Sequence, residues 1–310
     1  MGKLAQKIKN WSTYNKNLVK RGNITIWFSE ESISKWQEQT LQCKTRGRPC
    51  KYSDTAIECG LTFRSLYRLP LRATQGFLEG MIQLLGVNIP CPDYTTLSRR
   101  ASKLEIDLNH LRDTKNGNRD LVIDSSGLKV YGEGEWKMKI HGKQKRRTWR
   151  KLHIAMDPNS HQTVSMSLTE GNVHDSQAVP ALLLHQAAIK DVYADDAYGF
   201  KNCFDTIASI KANAMIAVRS GTALAKNPSL GLIQRNKIVV EMWRYGGREA
   251  WKKKSGYHKR SLVENQFYRY KTVFGEKLQA REFKNQDIEA RLKLSLLNRM
   301  TQLGMPEYTA

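Results

Sequence analysis

Residues Trp251 to Gly275 read WKKKSGYHKRSLVENQFYRYKTVFG, one acid among many bases on a segment with helical period. At about 100° per residue, Tyr257, Arg260, Glu264 and Lys271 fall within roughly 60° of one another on a helical wheel. Val263, Phe267, Tyr270 and Phe274 recur at i, i+4, i+7 and i+11, an apolar stripe beside that polar face. The pattern predicts a helix packed on a core and stopped by Gly275. A carboxylate flanked by Arg, Lys and Tyr suits a place where a metal-bound phosphate meets cationic and hydroxyl contacts. A solvated charged face, or a capping box at Ser261-Leu262-Val263-Glu264, would use the same residues.

The 310 residues around this stretch have room for one large core and a smaller domain. Lys and Arg number 51 against 29 Asp and Glu, a formal charge of +22. That imbalance implies a polyanionic partner, nucleic acid before any other. An anionic membrane is the rival partner, but there is no run of ~20 apolar residues and no signal-peptide core. The expectation is therefore an intracellular protein, cytoplasmic and nucleoid-associated, with no membrane partner. Five cysteines, odd in number and without a C-x-x-C pair, indicate neither a disulfide framework nor a structural zinc site.

Residues 1 to 50 mix Trp11, Tyr14, Trp27 and Trp36 with many lysines and show no sustained period, which reads as short helices or an arm. Arg46-Gly47-Arg48-Pro49 resembles a minor-groove hook, although a linker before the next helix has the same look. From Ser53 the pattern turns helical, with segments Ser53 to Arg68, Leu71 to Leu85 and Asp93 to Glu105 separated by tight breaks. Three short helices of this kind predict a helix-turn-helix-like module. Asp93 caps the third, which offers Arg99 and Arg100 as candidates for DNA groove contacts. Asp113 to Arg119 reads as a linker, which divides the chain into a helical DNA-binding region over 1–115 and a second domain over 116–310.

The second domain opens on Leu121-Val122-Ile123-Asp124, a buried-strand pattern ending in an acid, with a further strand-like run after Gly127. A carboxylate carried by a central strand needs a metal or a cation beside it. Residues 137 to 151 hold eight Lys/Arg and no acid, a density that suits a track for DNA backbone. Two strands bracket the turn Asp157-Pro158-Asn159-Ser160. Asp175 is read as the cap of a helix from Ser176 to about Ala188, so that Asp175 and His174 are structural. Asp191 to Gly199 is a strand ending in Asp195 and Asp196; because strand side chains alternate, the two cannot both face one site, and spacing does not choose between them. Residues 219 to 250 look like an irregular insertion apart from Ile238-Val239-Val240. Trp243, Arg244, Tyr245 and Trp251 could stack an unpaired base there, or form a packing cluster. Ile288, Leu292, Leu296, Met300 and Leu303 mark a last amphipathic helix.

Acids at Asp124, Asp195 and Glu264 on this order of elements are compatible with a ribonuclease-H-like α/β fold, a mixed sheet with flanking helices and an insertion before the last catalytic helix. Tyr257, Arg260, Glu264 and Lys271 match the Y-(2)-R-(3)-E-(6)-K pattern of the DDE transposases of bacterial insertion sequences. Asp124-Ser125-Ser126-Gly127 resembles their first-aspartate motif and Asp195-Asp196-Ala197-Tyr198 their second, a register that selects Asp195. The likeness extends through WRKLH at Trp149 to His153, GNVHDS at Gly171 to Ser176, and LNRM...LGMP at Leu297 to Pro306, and looks closest to the insertion-sequence-five family.

The resemblance implies Asp124, Asp195 and Glu264 as catalytic metal ligands for two Mg²⁺ ions, with Mn²⁺ as a substitute. It implies binding of terminal inverted repeats and target DNA, pairing of two ends by self-association, and strand transfer by transesterification. Tyr257, Arg260 and Lys271 are then DNA contacts. For Arg260 an i, i+4 ion pair with Glu264 is the simpler role, whereas the phosphate reading has Arg260→Ala and Lys271→Ala folding normally and losing cleavage. A structure-specific nuclease of the same fold, or a DNA-binding regulator derived from a transposase without catalysis, are the rival functions. The helical region before residue 105 argues against the first, and the presence of all three acids against the second.

Overall fold

The computed structural model of the chain describes residues 7–37, 51–108, 119–130, 149–184, 186 and 188–308. The Arg46 to Pro49 hook, the linker over 113–118 and the basic run over 137–148 lie outside the described residues. The chain separates into two compact units, residues 1–106 with 295–310, and residues 107–294.

The first unit is helical: α1 (Trp11–Arg21), α2 (Glu30–Ser34), α3 (Asp54–Tyr67), α4 (Leu71–Leu84) and α5 (Tyr94–Ala101). Its boundaries follow from capping chemistry. The Ser53 side chain accepts from the Ala56 amide and starts α3, and Arg68 in the left-handed region ends it. Pro70 stands at the start of α4, and the Asp93 carboxylate accepts from the Thr95 and Thr96 amides to start α5. Leu78 and Leu97 close on Gly60, where an added Cβ would lie 2.8 Å from a Leu97 methyl. Residues near the C-terminus complete this unit: Arg21 donates to the Gly304 carbonyl at 2.7 Å, Asn10 to that of Met305 at 3.1 Å, and the Arg299 guanidinium lies over the Trp27 ring.

The second unit is built on β1 (Arg119–Val130), β2 (Trp149–Asp157), β3 (Gln162–Glu170), α6 (Val179–Leu183), β4 (Ile189–Ala194), α7 (Lys201–Ser209), β5 (Asn213–Ile216), α8 (Leu230–Arg244), α9 (Arg248–Lys254), α10 (Leu262–Phe274) and β6 (Lys277–Leu278). The last helix, α11 (Phe283–Gln302), follows. The strands run in the order β3-β2-β1-β4-β5, with β6 beside the far end of β1. β1 to β3 are antiparallel, whereas β4, β5 and β6 are parallel to their neighbours, which makes the sheet mixed. Leu121, Val122 and Ile123 are all buried, as a central strand covered on both faces requires. Leu121 and Ile123 share a core with Val179, Leu182, Phe204, Ile207, Ile238 and Val239 from the flanking helices.

Residues 219–250 are not irregular: α8 and the start of α9 occupy most of them. The run Ile238-Val239-Val240 reads as a strand fragment because it is β-branched, yet Ile238, Val239 and Met242 share the buried face of α8. Gly231 lets α8 approach α7. A Cβ there would lie 2.3 Å from the Asp205 nitrogen and the Phe204 carbonyl carbon, both backbone atoms that cannot step aside. Gly231→Ala is expected to cost about 1–3 kcal/mol through overpacking. Thermal unfolding measures it, and an unchanged Tm would contradict so close a crossing.

Candidate active site

In the parallel pairing of β1 with β4, Val122 stands beside Tyr193. Two residues further along each chain come Asp124 and Asp195, level with each other and on one face because the side-chain period is two. Asp196 takes the other direction, toward Arg248 Nη2 at 3.6 Å and Arg219 Nε at 3.7 Å. Asp195 also accepts from the Ala197 amide at 2.9 Å, which caps the short 3₁₀ turn Asp196–Tyr198.

The third acid arrives on α10. Gly256, at φ 68°, turns the chain out of α9 in a conformation that a side chain would strain. Tyr257 to Ser261 then form a 3₁₀ turn and α10 begins at Leu262, so the stretch is not one uninterrupted α-helix. Val263, Phe267, Tyr270 and Phe274 are buried as their spacing predicts, and Glu264 stands in the first turn. Tyr257 is buried, and its hydroxyl donates to the carbonyl of Ala194, the residue before Asp195, at 3.1 Å. That contact ties the start of the helix to the end of β4.

A guanidinium sits among the three acids. Arg260 Nη1 lies 2.6 Å from Glu264 Oε1, and Nη2 lies 3.5 Å from Asp124 Oδ2 and 4.0 Å from Asp195 Oδ2. The i, i+4 pair with Glu264 is therefore made, and the same cation serves the two aspartates. Burial pushes the Asp124 carboxyl up to about 6, and the nearby charges of Asp195 and Glu264 add to the rise while Arg260 opposes it. Burial raises Asp195 as well, again against Arg260. Among the described residues, no three Asp, Glu, His or Cys side chains stand close enough together to hold an ion. Lys271 lies two turns beyond Glu264, about 10 Å along the helix axis, and its charge acts on Glu276.

In the first unit, Arg99 is exposed on α5, with its Nε directed at the Thr95 carbonyl at 3.4 Å. Arg100, the second candidate for groove contacts, is instead engaged with α3: it donates to the Tyr52 carbonyl at 2.9 Å and to Asp54 at 2.6 Å. Within the aromatic run, Trp251 is buried with its Nε1 on Glu241, and Tyr245 carries the Lys254 ammonium over its ring. Trp243 is 62% exposed and lines a cleft with Arg219 and Arg248.

Asp175 does not cap a helix. The His174 side chain accepts from the Ser176 amide, a short 3₁₀ turn covers Asp175–Gln177, and α6 is only five residues long. Pro180 at the start of α6 and the extended backbone of Leu184 bound it. Asp175 lies against Ser125 and Lys151. Sequence spacing misses this grouping because its members come from three separate strands or turns; the alternation of Lys151 and His153 on β2 was the one available signal.

The mixed sheet with its flanking helices defines the class, a ribonuclease-H-like α/β domain. Residues 115–299, more than half of the chain, match a family described as Transposase DDE domain, and residues 19–133 match a second model of the same description. The chain belongs to the DDE transposase family. Domains of this family act on DNA and use divalent metal ions. No helix among the described residues is long and apolar enough to cross a membrane.

Proposed function

We propose that this chain is the transposase of an insertion sequence, which binds the terminal inverted repeats of its element, cleaves at the ends and joins the released 3′-hydroxyl to target DNA. The observation that carries this reading is the convergence of Asp124, Asp195 and Glu264 on one guanidinium. Three carboxylates from separate elements, two of them raised by burial, form a site with more negative charge than one arginine balances. Their oxygens are the hard donors that Mg²⁺ or Mn²⁺ prefers, so the donor set, though not its spacing around Arg260, fits divalent metal.

In this reading Asp124, Asp195 and Glu264 hold the metal. Bound Mg²⁺ ions would activate the attacking oxygen and stabilise the leaving one. Arg260 partly offsets the acids in the metal-free protein and, once they have another cation, turns to the DNA phosphate, where its fork of donors suits two oxygens at once. Tyr257 keeps the Asp195 backbone in place through Ala194 rather than reaching DNA through its buried hydroxyl. Lys271, further along α10, meets a neighbouring phosphate. Its replacement by alanine is expected to leave Tm unchanged, reduce end cleavage and make complex formation less salt-sensitive, with a log–log slope shallower by about one. An unaltered slope in a filter-binding salt titration would remove Lys271 from the DNA path.

End recognition falls to the helical region before residue 106, with the exposed Arg99 on α5 as the groove-reading side chain and Arg100 as the link to α3. Because residues 295–310 belong to the same unit, binding is tested on the full chain rather than on a fragment ending at 115. Arg99→Ala is expected to lower the preference for end over scrambled duplex by about 1–3 kcal/mol at ~150 mM salt. Equal losses on both duplexes would make Arg99 a backbone contact only. Self-association, with two ends paired in one complex, completes the proposal.

A further inference from the structure

Two sequence runs left without a role by the three acids, Trp149 to His153 and Gly171 to Ser176, meet beside Asp124. Lys151 and His153 project from the same face of β2, and His153 is the cross-strand partner of Ser125. The turn after β3 brings Asp175 to them. Ser125 Oγ donates to Asp175 Oδ1 at 2.8 Å. Lys151 Nζ lies 3.1 Å from the same oxygen and donates to the Val173 carbonyl at 2.8 Å. The His153 side chain is fully buried; its Nε2 shares a hydrogen bond with Thr169, while its Nδ1 has no hydrogen-bond partner and points toward Asp175 at 3.7 Å. On the other side, the Ser125 amide donates to Asp124 Oδ1 at 2.8 Å. An unbroken chain of contacts thus runs from Lys151 through Asp175 and Ser125 to Asp124, and it leaves Asp124 Oδ2 as the oxygen that faces Arg260.

We propose that Asp175 is a positioning residue for the catalytic centre: through Ser125 it fixes the direction of the Asp124 carboxylate, and Lys151 balances its charge so that a fourth acid can stand close to Asp195. Asp175 Oδ1 accepts from Ser125 and faces the Lys151 ammonium, which ties this oxygen to the chain of contacts behind Asp124. Without the chain, the Ser125 hydroxyl loses its acceptor, and the Ser125 peptide that bonds Asp124 is held by the β1–β2 pairing but no longer by the turn after β3. Partners one step behind a metal ligand commonly set affinity by 10- to 100-fold, and Ser125 and Asp175 occupy that place here.

The inference rests on the reading of Asp124 as a metal-holding acid, and one titration separates the two. Full-length protein without DNA is titrated with Mn²⁺ alone and the free ion is read by electron paramagnetic resonance. Ser125→Ala, which changes no charge, is expected to weaken Mn²⁺ binding by about tenfold. Ser125→Thr, which keeps the hydroxyl, restores it, and Asp175→Ala weakens binding at least as much as Ser125→Ala. On end DNA the same alanine variants lower kcat and leave KM unchanged. Wild-type Mn²⁺ affinity in Ser125→Ala overturns the positioning role, even if Asp175→Ala is weak or does not fold, since Asp175 would then act by charge or by packing. Asp124→Asn serves as the reference: if it too binds Mn²⁺ as the wild type does, the fault lies with the reading of Asp124 itself.

Discussion

Replacing Glu264 by Gln is expected to lower cleavage at a transposon end by on the order of a thousandfold, ~4 kcal/mol in barrier, while end binding stays largely intact. The amide keeps the shape and loses the charge, so the proposed centre, with two cations to hold against two oxygens, goes out of balance. Asp124→Asn and Asp195→Asn should behave alike. Asp196→Asn is the internal control, because Asp196 points to Arg219 and Arg248 and not to Arg260. Single-turnover cleavage with Mg²⁺ measures all four. Full cleavage by Glu264→Gln, or a loss in Asp196→Asn that matches Asp195→Asn, would contradict the assignment.

Arg260→Ala should show the second large effect, and it has two parts. In the metal-free protein the variant leaves Asp124, Asp195 and Glu264 without the cation they share, one of them well buried. A loss of about 1–3 kcal/mol follows, less than for a fully buried pair because Glu264 is solvent-exposed. The reading of Arg260 as a phosphate contact predicts an unchanged Tm for this variant; the contacts to Asp124 and Asp195 revise that for the metal-free state. Addition of Mg²⁺ should restore most of the lost Tm, and cleavage should remain defective because the phosphate contact is gone. A calorimetric scan with and without Mg²⁺, paired with a cleavage assay, tests both parts. An unchanged metal-free Tm would show that Arg260 does not compensate the acids.

Much of the fold was legible where local chemistry decides it. The boundaries of α3, α4 and α5 follow from Ser53, Pro70 and Asp93, each a strong local signal. The apolar stripe of α10 and the strand carrying Asp124 likewise follow from periodicity. What sequence could not reach were features set by tertiary contact. The β-branched run at Ile238 suggested strand until its burial against the sheet made it helix. The 3₁₀ start at Tyr257 and the Tyr257–Ala194 bond depend on β4, 63 residues away in sequence. Residues after Ser295 join the first unit through backbone carbonyls at Gly304 and Met305, which carry no sequence signature. Asp175 looked like a cap because Asp before an apolar run usually is one, and only the pairing of β1 with β2 reveals its neighbours.

The central claim is that this chain cuts and joins DNA at specific ends with divalent metal. It is tested most directly by incubating the full-length protein and Mg²⁺ with duplexes that carry the ends of its own element, beside scrambled duplexes and a target plasmid. The prediction is a strand-specific nick at the end, a free 3′-hydroxyl, and joined products on the target. All of these should be lost in Glu264→Gln and when the metal is chelated. Equal nicking of end and scrambled duplexes without joining would point to a nuclease, and firm end binding without any metal-dependent cleavage would point to a regulator; either result contradicts the claim.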